Sequence, residues 1–260
     1  MISVLGVINP RSFARLVQIT FIKAFSVNTS RCFSKGVESD SDIRKFIVDN
    51  TEIVGDKSLT PEIKLRLFTP NCTFWDARPE IWPFSDPFWA IYWPGGQALA
   101  RYLLNNPGVC EGRSVLDLGS GCGASSIAAK LCGAVHVIAN DTDTVASIAT
   151  HINCELNSLE PVVCVNDNMI GFEPEHYDLI LLGDMFYEEA LANSLHSWLD
   201  RCIKSHGTQV LIGDPGRAQF EGHSIKRLLR QLVQYDLPES VQEENYGLTC
   251  SSVWRYYPEL

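Results

Sequence analysis

From Gly112 onward, the pattern of apolar and polar positions switches period repeatedly. Short apolar runs predict strands over 114–118, 135–139, 161–165, 177–183 and 209–213. Between and after them, apolar residues three and four apart predict helices over 124–131, 144–157, 188–203 and 223–235. Repeated β-α units predict an α/β fold: a parallel sheet with helices on both faces. Residues 241–257 read as two more strands joined near Tyr246-Gly247, with no helix between them. That predicts an antiparallel hairpin at one edge of a seven-stranded sheet.

Upstream, Ile43, Phe46 and Ile47 share one face of a predicted helix over 40–50, which Asp40 or Ser41 would cap. Ile63, Leu65 and Leu67 alternate with polar neighbours, as in a strand. The turn Thr69-Pro70-Asn71-Cys72 suggests a hairpin to Thr73-Phe74-Trp75. An aromatic cluster follows: Trp75, Trp82, Phe84, Phe88, Trp89, Tyr92 and Trp93, punctuated by Pro79, Pro83, Pro87 and, at its end, Pro94. It cannot be one regular element; it reads as a layer packed over the domain edge. A helix is predicted from Gly95 to Asn106.

At 260 residues and 45% hydrophobic, the chain has material for one large core, and wholesale disorder is excluded. The formal net charge of −10 argues against a general nucleic-acid binder. No apolar run approaches the roughly 20 residues that span a bilayer. The first 37 residues hold five of the 21 bases and none of the 31 acids, with serines throughout. Residues 1–35 therefore read as a mitochondrial transit peptide, and 36–260 as the mature domain. That domain is strongly acidic, which suits a basic partner surface. Nine scattered cysteines without C-x-x-C spacing point to reduced, packed thiols and not to a zinc site.

The most informative stretch is Asp117-Leu118-Gly119-Ser120-Gly121-Cys122-Gly123, at a strand end and opening a helix. Glycines let the backbone turn sharply and approach a ligand closely. A P-loop is excluded, because no lysine lies between Gly119 and Lys130. A dinucleotide fingerprint is met only loosely by Gly119, Gly121 and Ala124. With Asp117 included, the spacing D-x-G-x-G-x-G resembles motif I of the class I S-adenosylmethionine-dependent methyltransferases. The resemblance implies a Rossmann-like fold with S-adenosyl-L-methionine as cofactor. It places the loop, including Ser120, beneath the methionine portion and Asp117 near its ammonium. Asp141 ends the second strand and is assigned to the ribose hydroxyls; Asp143 would instead cap the next helix. Asn166-Asp167-Asn168, with Asp167 foremost, falls where such enzymes meet the adenine edge, or is simply a polar turn.

The fourth strand ends Gly183-Asp184-Met185-Phe186-Tyr187. This D-x-x-Y arrangement, with Ile91-Tyr92-Trp93-Pro94 before a helix, resembles the seven-strand protein-lysine methyltransferases of family 16. Asp184 would then orient the acceptor amine and Tyr187 contact it; Trp93 is a further cofactor candidate. The plain alternative for Asp184 is a cap on the helix that follows. Asp214 and Arg217, at the fifth strand's end, read either as a substrate contact and loop anchor or as a tight turn with an ion pair. Together with Leu59-Thr60-Pro61-Glu62-Ile63 and Gly213-Asp214-Pro215-Gly216-Arg217, these motifs are similar to the mitochondrial branch of that family. Its implied protein substrate is the β-subunit of electron transfer flavoprotein, with trimethylation expected in the matrix. No metal, nucleic acid or membrane insertion is expected. A small-molecule methyltransferase and a non-catalytic cofactor-binding scaffold are the competing classes. If residues 1–35 are the import signal, a fluorescent fusion lacking them stays out of mitochondria; continued import would place the signal elsewhere.

Overall fold

The computed structural model describes residues 39–75, 83–84, 87–245 and 247–258. The predicted transit peptide, Trp82 and part of the proline-rich stretch lie outside the described residues. Helix α1 (Asp40–Asn50) starts with a reciprocal cap: Ser39 and Asp42 each accept from the other's backbone N–H. Strands β1 (Glu52–Val54) and β2 (Leu65–Leu67) pair antiparallel. The expected hairpin from 63–67 to 73–75 is therefore wrong. Thr69 to Trp75 is a succession of turns, and β2 pairs backwards with the short strand after α1.

The main sheet contains β3 (Ser114–Leu118), β4 (His136–Asn140), β5 (Val163–Val165), β6 (Leu179–Gly183), β7 (Gln209–Asp214), β8 (Leu229–Asp236) and β9 (Cys250–Tyr256). Their spatial order is β5-β4-β3-β6-β7-β9-β8, parallel up to β7 and antiparallel beyond it. Alternation sorts the central side chains to two faces. Val115, Leu179, Leu181 and Leu211 pack beneath α2 (Pro94–Asn105), α3 (Ala124–Leu131) and α4 (Thr144–Leu156). Leu116, Ile180, Leu182, Val210 and Ile212 pack against Leu195, Trp198 and Leu199 of α5 (Glu189–His206). Both faces are covered, so the parallel strands are nearly continuous apolar runs. Part of the aromatic cluster does form an edge layer: Trp75, Phe84 and Trp89 pack, with Phe68 and Phe74, against α1 and α4.

The chain's last third departs from expectation. Residues 223–235 are not a helix but a short 3-10 turn (Ser224–Leu228) running into β8, beyond the short helix α6 (Ala218–Gly222). The predicted strand from Val241 is instead helix α7 (Glu239–Glu244), which begins after Pro238. The edge hairpin exists, but its strands are β8 and β9, with α7 between them. Leu228, Leu229, Leu232 and Val233 carry an apolar spacing compatible with a helix. A register shift between Gln231 and Val233 lets the same spacing fit an edge strand.

One contact sets the position of α2. Gly95, in its first turn, lies directly against Gly213 of β7. A Cβ on Gly213 would fall 2.1 Å from the Gly95 carbonyl oxygen, and one on Gly183 would fall 2.9 Å from Gly96 Cα. Side chains at these positions would lift the helix off the sheet. Gly213→Ala is expected to lower stability by about 1–3 kcal/mol, the range for overpacking a filled interior. Gly108→Ala, where a Cβ meets nothing within 4 Å, should be near neutral. Urea unfolding of both variants checks this.

Candidate active site

The carboxyl ends of β3, β4, β6 and β7 open on one edge of the sheet, where open α/β folds bind ligands. The loop after β3 takes left-handed backbone angles at Gly119 (φ +71°), Gly121 (φ +52°) and Gly123 (φ +79°), conformations that glycine alone adopts freely. The loop leans on the neighbouring strand: the N–H groups of Gly119 and Ser120 both donate to the Asn140 carbonyl, at 2.8 and 3.0 Å.

Two carboxylates flank this loop. Asp117 is 2% exposed and accepts from the Ser126 hydroxyl at 2.7 Å. Burial pushes its pKa up to about 6. Asp141 accepts from Gly121 N–H and Asp143 N–H, both at 3.0 Å, and burial raises it as well. Asp143 caps α4 through Val145 N–H, the alternative that the sequence left open for it. Asn166 ties strand ends together through the Asp141 carbonyl at 2.7 Å and the Ser147 hydroxyl at 2.8 Å. Asp167 is exposed beside it, and its carbonyl accepts from Asn140 at 2.9 Å.

Past β6, four successive residues point to four different places. Asp184 turns toward α2. Met185 lies against Gly119, where a Cβ would meet its sulfur at 2.2 Å. Phe186 is fully buried, edge-on to Phe220 at 5.5 Å between centroids. Tyr187 stands near enough to Asp141 for that charge, after burial, to raise its phenol. Sequence reasoning missed Met185, although its place between Asp184 and Tyr187 was a signal that it adjoins both halves of the site.

Asp184 is buried and left-handed (φ +56°), a conformation that Asp and Asn tolerate better than most residues. It does not cap the helix after it. Glu188 does that, accepting from Ala190 and Leu191 N–H. Asp184 instead caps α2 across the fold, its Oδ2 accepting from the N–H groups of Gly95 and Gly96. Its Oδ1 accepts from Arg217 Nε at 3.1 Å and Nη2 at 2.7 Å. Arg217 also lies 5.4 Å over the ring of Trp93, whose indole N–H donates to the Phe88 carbonyl at 3.0 Å. Trp93 thus stands next to the ion pair of Arg217 with Asp184.

Asp214, 1% exposed, accepts at Oδ1 from Gly216 N–H at 2.7 Å and Arg217 N–H at 2.8 Å. Its Oδ2 is buried without a hydrogen-bond partner. Burial, and then the nearby Asp184, push it up to about 7.

The residues present suit S-adenosylmethionine. A glycine turn leaves its backbone approachable, and buried carboxylates at two strand ends match a cationic amine and ribose hydroxyls. Solved structures agree in fold. A Streptococcus mutans protein described as a SAM-dependent methyltransferase matches with TM-score 0.53 at 14% identity, over 87% of this chain and 58% of its own. A methyltransferase solved with S-adenosylhomocysteine matches at 0.54 and 14%, over 85% and 57%. Fold and site together define a class I S-adenosylmethionine-dependent methyltransferase.

Within that class, a family model described as lysine methyltransferase matches residues 89–231, and the chain belongs to this lysine methyltransferase family. It is 67% identical over 228 residues to the electron transfer flavoprotein beta subunit lysine methyltransferase of Danio rerio, covering 88% of each chain. It is 57% identical over 219 residues to that of Homo sapiens, covering 84% of each. A Caenorhabditis elegans homolog is 37% identical, over 81% of this chain and 94% of its own.

The raised Asp214 pKa gives a signed expectation. Between an unfolded value of about 3.9 and the folded value of about 7, the folded state keeps a proton that the unfolded state has lost. Asp214's contribution to stability is therefore full below the lower value, declines as pH rises across the window and levels off above it. Asp214→Asn keeps the Oδ1 acceptor and removes the titration. Relative to the parent, the variant should gain stability as pH rises from about 4 to about 7 in thermal unfolding. No relative change over that range would mean that Arg217 keeps the carboxyl ionised in the folded state as well.

Proposed function

We propose that this chain transfers methyl groups to lysine side chains of the electron transfer flavoprotein β-subunit in the mitochondrial matrix, after its first 35 or so residues are removed. The observation that carries the reading is the placement of Asp184 and Tyr187 on the same sheet edge as the glycine loop, in a chain so similar to its named relatives. The acid-free, basic leader supports import, and the acidic mature domain suits a basic substrate surface.

S-Adenosylmethionine supplies a methyl already activated on a sulfonium. The chain's own residues bind, orient and exclude water. Gly119, Ser120 and Gly121 form the floor beneath the cofactor, Asp117 receives its ammonium, and Asp141 its ribose hydroxyls. Asp167 stands at the third strand's end for the adenine edge. On the other side, Asp184 receives the lysine amine and Tyr187 lines its path. Trp93 offers an aromatic face on the acceptor side, a surface that cations and methylated amines favour. A lysine has a reference pKa of about 10.4 and must lose its proton before attack. Asp184 favours the ammonium, so it serves to position the amine, and the proton leaves to water. In-line alignment is then the main catalytic contribution.

Asp184→Asn suits the left-handed backbone and still accepts from Gly95 and Gly96. It should bind S-adenosylmethionine normally by calorimetry. Its kcat/KM on purified electron transfer flavoprotein should fall by about 10- to 100-fold, the worth of one charge-assisted hydrogen bond. Normal methylation would remove Asp184 from the acceptor site, and loss of cofactor binding would make it a cofactor or framework residue.

A further inference from the structure

A carboxylate offers about four acceptor directions, and all four of Asp184's are taken. Two go to the N–H groups of Gly95 and Gly96 and two to the guanidinium of Arg217. The first pair cannot yield, because Gly95 is wedged against the Gly213 backbone. A further donor arriving at Asp184 must therefore replace Arg217. The guanidinium is placed to be replaced. Its side chain is 21% exposed against 6% for Asp184. The Arg217 backbone is held independently, by its N–H to Asp214 Oδ1 at 2.8 Å, so the loop does not depend on the guanidinium's bonds to Asp184.

The guanidinium also uses the two features that a protonated lysine would use, a buried carboxylate and the face of Trp93 at 5.4 Å. We infer that Arg217 is a resident cation in the acceptor position, exchanged for the ammonium of the incoming lysine, and that this exchange selects a cationic side chain. The inference rests on Asp184 being the acceptor-site anion. Selection follows from charge balance. Asp184 and Asp214 are both buried and close enough to interact. When the guanidinium leaves, an ammonium restores a cation to the pair. A neutral amide leaves a buried anion unpaired, which is strongly unfavourable.

The exchange makes the resident arginine a competitor, so its removal should strengthen substrate binding. In the full-length enzyme, Arg217→Ala should bind S-adenosylmethionine as the parent does. Its KM for purified electron transfer flavoprotein should drop by about 3- to 10-fold, because the binding-competent fraction rises. The dissociation constant of the same protein, measured on enzyme saturated with S-adenosylhomocysteine, should drop in parallel. Ethylguanidinium chloride should refill the vacated position and inhibit Arg217→Ala competitively against the protein substrate. A permanent clamp predicts the opposite sign: Arg217→Ala loses kcat and ethylguanidinium restores it. That result overturns the proposal, as does an unchanged KM with no response to ethylguanidinium. Should the alanine variant fail to fold, Arg217→Gln keeps a donor to Oδ1 without the charge. It is likewise expected to lower KM, and a raised KM overturns the exchange. Asp184→Asn turning over normally would refute the acceptor assignment itself, whatever Arg217 does.

Discussion

The approach of α2 to the sheet is the constraint on which the site depends. With no Cβ at Gly95, Gly183 or Gly213, backbone meets backbone, and the first turn of the helix reaches the ends of β6 and β7. Its unpaired N–H groups then need an acceptor away from water. Asp184 supplies one, at the cost of a left-handed backbone. Strain of that kind persists where the surroundings over-determine it. A carboxylate so buried needs a cation, and Arg217 provides it. Arg217 in turn settles against Trp93, the residue that precedes α2. Helix, strand end, loop and the Trp93 indole therefore close into one ring of contacts, and disturbing one member is felt by the rest.

The segment after β6 joins this ring to the glycine loop. Asp184 faces α2, Met185 the glycine loop, Phe186 the core beneath α5, and Tyr187 the neighbourhood of Asp141. Phe186 anchors the segment, since it is fully buried against Phe220. A sharp turn held by one buried ring thus sends Asp184 toward α2 and Tyr187 toward Asp141 within four residues. Precision of this sort matters when catalysis consists mainly of alignment.

Burial sets the electrostatic character of the edge. It raises Asp117, Asp141, Asp143 and Asp214 together, with Arg217 as the cation beside Asp184. Such a crevice attracts positive groups, and both the sulfonium donor and a protonated lysine carry one. The same burial has the opposite consequence for the thiols. Cys110, Cys122 and Cys202 are pushed up to about 12, so they stay protonated and pack as small hydrophobes.

Much of this was legible in the residues alone, because it rests on local rules. Period and turn chemistry placed the five parallel strands and the helices between them. D-x-G-x-G-x-G and D-x-x-Y marked the two sides of the site, and an acid-free basic leader stood apart by composition. Reading failed where pairing outweighed local preference. The run Leu228-Leu229-Arg230-Gln231-Leu232-Val233 suits a helix face as well as a bulged edge strand, and only β9 alongside it decides for the strand. Ile63 to Leu67 pairs with residues before it and not after it, which no turn signal reveals. Asp184 shows the same limit at the scale of one side chain. The sequence set it near a helix start, but the helix it caps is another one, whose Gly95 lies 89 residues earlier. That helix reaches it because two stretches far apart in the chain lack side chains at the point where they touch. Hydrogen bonds and ion pairs between distant segments depend on how closely backbones approach, and closeness is a property of the packed fold.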